Sequence, residues 1–205
     1  LPAYLPQLTL GGNGKRVTRE GTPVEGRTAP ALWGGVGTDG QHAFFQWLHQ
    51  GTDVVPVEFV VPSAPVDADP SRHALLVANA LAQAQALAIG RSAAEVAAEL
   101  RGRGQHADAA ALAARESPGD RPSTTILTPR LDARSLGALL APYEHRPFVE
   151  GILWGINPFD QFGVELGKIL AQPIAAALDG NGALPASADP STRALVAHVR
   201  EALRR

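Results

Sequence analysis

Three side chains late in the sequence could move protons or grip a polar ligand. Gln161, Glu165 and Lys168 recur at offsets of four and three, so on a helix an amide, a carboxylate and an ammonium share one ridge. Spacing alone describes a solvated face closed by a Glu165–Lys168 ion pair, and equally a reactive face. Earlier, Trp33-Gly-Gly-Val-Gly-Thr-Asp-Gly-Gln-His42 is a glycine-rich turn feeding a helix. It predicts a helix Gln41–Gln50 capped by Thr38 or Asp39, with His42 in its first turn. There the helix dipole would favour the neutral ring, which can exchange protons near neutral pH. His49 further along reads as structural. A third segment, Gly11-Gly-Asn-Gly-Lys15, invites a phosphate-loop reading. It lacks the GxxxxGK[ST] spacing, and Val17 offers no hydroxyl for a metal.

The elements that must position these groups are legible from their punctuation. Asn157 suits an N-cap, Pro158 the first helical position and Asp160 the first turn, predicting a helix from Asn157 through Ala171. Phe159, Phe162, Leu166 and Ile169 then form an apolar stripe expected to face a core. Gly163 and Gly167 keep that helix surface low, at about 1 kcal/mol each against alanine.

Residues 1–30 are dense in Gly and Pro and read as loop, with a short helical or extended piece at Tyr4–Leu10. Thr52–Val61 is rich in β-branched residues and predicts a buried strand, bent or near an edge at Pro56. Ser63–Pro70 reads as linker, Ser71–Ile89 as a long helix ended by Gly90, and Ala93–Leu100 as a helix capped by Ser92. Gln105–Asp120 reads as a loose excursion, and Ser123–Leu127 as a second strand stopped by Pro129. Asp132 or Ser135 then caps a helix through Leu139 that Pro142 interrupts before it resumes towards Ile156. Pro173 marks a kink, Gly180–Pro190 a loop, and Ser191–Arg205 a final amphipathic helix. Strands alternating with helices argue for an α/β layered fold.

Composition excludes several classes of function. The 205 residues carry 18 basic against 20 acidic side chains, a net charge of −2, with no basic block that could track nucleic acid. The absence of cysteine excludes disulfides, thiol catalysis and thiolate-bound zinc, and fits a cytoplasmic protein. The apolar runs are too short and broken for a membrane span. The chain begins at Leu1 and contains no methionine, so it reads as a piece of a longer protein.

Asn157-Pro-Phe-Asp-Gln-Phe-Gly-Val-Glu-Leu-Gly-Lys168 resembles the C-terminal signature of the glucose-6-phosphate isomerase family, in which an aromatic, Asp, Gln, Gly, a β-branched residue and Glu precede an active-site lysine. Trp33–Phe59 is similar to that family's run of tryptophan, glycine-rich turn, Gly-Gln-His and helix. The resemblance covers nearly the whole chain, but only the later part of the family's sequence. It implies an incomplete three-layer αβα domain of the sugar-isomerase (SIS) type over residues 1–170, followed by a C-terminal helical arm over 171–205.

It also implies an activity. Glucose 6-phosphate and fructose 6-phosphate would interconvert by ring opening and enediol proton transfer, without metal or organic cofactor. His42 and Lys168 would carry protons for ring opening, and Gln161 would hold the substrate. The family's histidine reaches in from a neighbouring subunit, which implies a homodimer; His145 has a counterpart on a helix outside the site. The phosphate-binding serines and threonines, and the arginine beside the enediolate, belong to the part of the family's sequence that precedes Leu1.

One departure stands out. The family's catalytic glutamate lies two residues before the asparagine of Asn-Gly-Lys, and that position here is Gly11. Spacing from Gly11 to His42 follows the family without insertion or deletion. A glycine has no group to move a proton, and Glu20 or Glu25 would have to come within about 3 Å of the substrate carbon's proton to replace it. The chain is therefore expected to be impaired in isomerisation; the alternative is a non-catalytic module that binds sugar phosphate or dimerises.

Overall fold

The computed structural model describes residues 1–65 and 69–204. Part of the expected linker Ser63–Pro70, and Arg205, where the final helix was expected to end, therefore lie outside the described residues. Contacts divide the chain into two compact units, Leu1–Leu8 with Pro30–Val149, and Thr9–Ala29 with Glu150–Arg205.

The first unit is built on two parallel strands, β1 (Val57–Pro62) and β2 (Ser123–Thr128), paired in register from Val57 opposite Ser123 to Pro62 opposite Thr128. Parallel neighbours need a long crossover, and helices supply it here. Helix α4 (Pro70–Ile89) packs against both strands, and α5 (Ala93–Gly102) and α6 (Ala109–Ala113) pack on each other. The α/β class expected from the alternation holds. Local chemistry sets most boundaries as expected: α4 stops at Gly90, and Ser92 and Glu95 form a reciprocal capping box at the start of α5. Strand β1 begins at Val57, later than expected, immediately after Pro56, which has no N–H for a ladder. The excursion Gln105–Asp120 contains α6, whose first turn Asp108 caps.

The core of this unit gathers Phe45, Leu48 and Leu87, with Phe44, Trp47, Val55, Val57 and Phe59 packed around them. Arg121, nearly buried, donates to Gly51 O at 2.7 Å and Asp53 O at 2.9 Å, tying the segment before β1 to the start of β2. Two helices occupy the expected span Gln41–Gln50: α2 (Gly37–Ala43) and α3 (Phe45–Gln50). The break has a packing cause. Gly40 is buried beneath the Phe44 ring, 2.9 Å from where a Cβ would stand, and Phe44 leaves helical geometry between the two pieces.

Two helices span both units. Helix α1 (Tyr4–Asn13) runs on through Gly11 and Gly12, where a loop was expected. Helix α7 (Ala133–Leu153) passes without interruption through Pro142 and Pro147. Each proline removes a backbone donor, but Tyr143 Oη donates to Glu58 and Tyr4 Oη donates to Glu144, both at 2.7 Å, anchoring the stretch between the prolines. Asp132 caps this helix by accepting the Ser135 N–H at 2.8 Å.

In the second unit the helix expected from Asn157 does not begin there. Residues 158 and 159 form a turn, Phe162–Val164 a 3-10 turn, and α8 runs from Glu165 to Leu178, past Pro173. It packs against α9 (Pro190–Ala202), which Asp189 caps. The apolar stripe expected to face a core is exposed, from Phe159 at 80% to Ile169 at 62%. Burial centres instead on Ile156, Asn13 and Ala177.

Candidate functional site

The second unit brings two of the expected site segments together. At the end of α1, Asn13 is fully buried and its Nδ2 donates to Glu150 Oε2 at 2.8 Å, fastening this end to the last turns of α7. After α7 the chain turns at Gly155, whose carbonyl accepts the Arg19 N–H at 2.8 Å, and buries Ile156 completely. Asn157 Oδ1 then accepts the Phe159 N–H at 3.1 Å. Asparagine and proline thus make a side-chain-closed turn where a helix cap was expected. Pro158 rests on the bare Cα of Gly151, and the turn delivers Asp160 and Gln161.

Lys15 joins this turn to the Gly11 position. Its Nζ donates to Gly12 O at 2.6 Å, Gly11 O at 3.0 Å and Asp160 O at 2.7 Å, and lies 3.5 Å from Asp160 Oδ1. The last carbonyls of a helix lack internal partners, and a cation there is favoured by the dipole, so one amine satisfies the end of α1 and grips the turn. Thr28 Oγ1 donates to Lys15 O at 2.8 Å and holds the backbone beneath it. The sequence presents Lys15 as part of a failed phosphate loop and as the lysine of Asn-Gly-Lys, without a role of its own. The signal that could have found it is a lysine just past a Gly-Gly helix end.

The other candidates are arranged differently from the expectation. Gln161 precedes the 3-10 turn in backbone that is neither helical nor extended, so it does not share a helix ridge with Glu165 and Lys168. Glu165 is the first residue of α8, where a negative charge suits the dipole, and Lys168 stands in the same first turn. All three side chains are exposed, and no ion pair joins Glu165 to Lys168 among the described residues.

In the first unit His42 is exposed and occupies the last turn of α2, with Val36 rather than Thr38 or Asp39 as the N-cap. The dipole argument for a neutral ring therefore does not apply, because it requires the first turn of a helix. His49 shares a 2.9 Å hydrogen bond with Gln83 and packs against Phe45. His145 Nδ1 lies 2.8 Å from Ala141 O within α7. A cleft of about 480 Å³ lined by Ala88, Asp120, Arg121, Pro122 and Ser123 also lies in this unit and contains none of the candidates. No described helix is long and apolar enough to cross a membrane.

Comparison with known proteins gives this geometry its context. The profile of the family described as phosphoglucose isomerase matches residues 1–196. A glucose-6-phosphate isomerase of Cupriavidus metallidurans is 50% identical over 204 residues, covering 100% of this chain and 36% of that protein. One from Xanthobacter autotrophicus is 54% identical over 202 residues, covering 97% of this chain and 37% of its own length. The crystal structure of a glucose-6-phosphate isomerase from Chlamydia trachomatis superposes with a TM-score of 0.71 at 37% identity, over 98% of this chain and 35% of that one. The chain thus spans about a third of the length of these relatives. Since the profile runs through both units and the backbone follows the C-terminal part of a solved relative, this chain belongs to the phosphoglucose isomerase family.

Proposed function

We propose that this chain is the C-terminal part of a glucose-6-phosphate isomerase, acting on glucose 6-phosphate and fructose 6-phosphate by ring opening and enediol proton transfer. The observation that carries the reading is half-identity to named isomerases over the whole chain. In this reading residues 1–170 are the later part of an SIS-type domain and 171–205 its helical arm. His42 and Lys168, an imidazole and an amine both open to solvent, exchange protons with the ring oxygen and the anomeric hydroxyl as the sugar opens. Gln161 holds the sugar by its amide. Position 11, half-buried at the end of α1, is where a base would collect the proton that moves between C2 and C1.

Gly11 supplies no such base. General base catalysis contributes on the order of 10²–10⁴ in rate, so proton transfer is the impaired step. The full-length chain with Gly11 and with Gly11→Glu is to be assayed for fructose 6-phosphate conversion. Restored turnover of about that factor is expected; equal rates would refute the role of position 11.

The reading also makes the protein a cytoplasmic homodimer in which His42 serves the partner's site. Sedimentation of a fully active monomer would reject that arrangement. Gly11 itself favours a second reading, a module that binds sugar phosphate or dimerises without turnover. Saturable binding of fructose 6-phosphate, with no conversion even after Gly11→Glu, would select it.

A further inference from the structure

An ammonium has three N–H donors, and in Lys15 all three end on backbone carbonyls: Gly12 at 2.6 Å, Asp160 at 2.7 Å and Gly11 at 3.0 Å. The carboxylate of Asp160 stands 3.5 Å away, and the Lys15 side chain is only 15% exposed. A lysine so occupied has no donor left for a phosphate or a sugar hydroxyl. Its work is done inside the protein.

We propose that Lys15 is a positioning residue that clamps position 11 to the turn carrying Gln161. Neither partner is held by regular structure alone. Gly11 and Gly12 end a helix with poor helix formers, and Asp160 lies in a non-helical turn. One amine therefore sets the separation between the site of a base and the amide that holds the sugar. A displacement of about 1 Å at such a site costs on the order of 10² in rate. The purpose of the clamp rests on the isomerase reading above; the clamp itself rests on the three hydrogen bonds. Arginine is a poor substitute, because a planar fork cannot direct three donors onto three carbonyls that converge on one point.

The chain has two lysines, Lys15 and Lys168, which makes the clamp directly measurable. Limited acetylation of the folded protein, mapped by mass spectrometry, should label exposed Lys168 first and Lys15 at least about tenfold more slowly, since its hydrogen bonds must first open. Equal labelling overturns the clamp. The positioning role is read by a double-mutant cycle in the full-length chain. In the Gly11→Glu background, Lys15→Met should lower kcat about 10²-fold with KM less affected, and Lys15→Arg should recover only part of the loss.

With Gly11 retained there is no base to misplace, and the same Lys15→Met change should alter any turnover less than about threefold. Equal losses in both backgrounds mark a merely structural lysine and overturn the proposal. If the Gly11→Glu chain converts no fructose 6-phosphate, the isomerase reading fails instead, and the acetylation rates alone judge the clamp. That measurement uses the unsubstituted protein, so a Lys15→Met chain that does not fold leaves it intact.

Discussion

Replacing Gly151 by alanine tests how the turn before Gln161 is held. An added Cβ would stand 2.8 Å from Pro158 Cγ, 3.0 Å from its Cδ and 3.2 Å from its Cβ. Carbon atoms rest about 3.5–4.0 Å apart, so the pyrrolidine must retreat by somewhat under 1 Å. A proline ring has no rotamer to swing aside. The turn must therefore move as a body, against Lys15 at Asp160 and against buried Ile156.

Two opposed terms decide the sign. Alanine in place of glycine in a helix stabilises by roughly 0.5–1 kcal/mol, and less in the last turn, whereas overpacking a filled site costs about 1–3 kcal/mol. The net expectation for Gly151→Ala is a loss of about 1–2 kcal/mol, which for a chain of this size lowers Tm by a few degrees, at about 2–4 °C per kcal/mol. Gly137 is the internal control. It lies in the same helix with no atom within 4 Å of an added Cβ, so Gly137→Ala should stabilise by about 0.5–1 kcal/mol. Thermal and urea unfolding followed by circular dichroism of both variants gives the comparison. If both substitutions raise stability alike, the packing of Pro158 on Gly151 does not hold the turn.

Three further outcomes are expected. Ile156 is fully buried, so Ile156→Ala should cost about 2–5 kcal/mol in chemical denaturation, and a loss below about 1 kcal/mol would deny it a core role. Burial, and then its hydrogen bond to Glu58, push the Tyr143 hydroxyl up to about 12. A group raised on folding favours the folded state below its unfolded value and ceases to do so as pH rises through the raised one. Tyr4 is raised too, first by its hydrogen bond to Glu144. Absorbance titration should therefore show both tyrosines ionising late, with Tyr143→Phe removing one of the two steps, and a transition at the ordinary tyrosine value would contradict the structure. Glu95 is held below the usual carboxylate range by the Ser92 backbone N–H, Asp132 by that of Ser135, and Asp189 by the Thr192 hydroxyl and then its N–H. Depressed carboxylates stabilise above their unfolded values and cease to do so as pH falls through the lowered ones. Exchange of the Ser92, Ser135 and Thr192 amides, taken relative to the free-peptide rate at each pH, should stay protected at neutral pH and lose protection only below the usual carboxylate range; loss at mildly acidic pH would speak against capping.

The sequence alone determined what local chemistry determines. Ser92 and Glu95, three residues apart at the head of an alanine-rich run, can satisfy each other and two orphan amides whatever surrounds them. The β-branched run ending at Val61 and Ser123–Leu127, separated by helix-forming stretches, could pair in parallel only through such a crossover. The NPFDQFGVELGK run identified the family because it is long and specific.

Tertiary structure decided how the candidate groups are presented. Asn157-Pro158 serves a helix start and a turn equally well. Ring packing of Pro158 on Gly151, seven residues back, and the pull of Lys15 on Asp160, 145 residues away in sequence, chose the turn and took Gln161 off the helix of Lys168. The Phe44 ring over Gly40 split a predicted helix and put His42 at the end of a short one. Periodicity in Phe162, Leu166 and Ile169 marks a surface that water disfavours, but burial also requires a second surface to meet it. Backbone capping acts within four residues and is written in the chain, whereas the grip of the Lys15 amine on the Asp160 carbonyl exists only once distant segments have met.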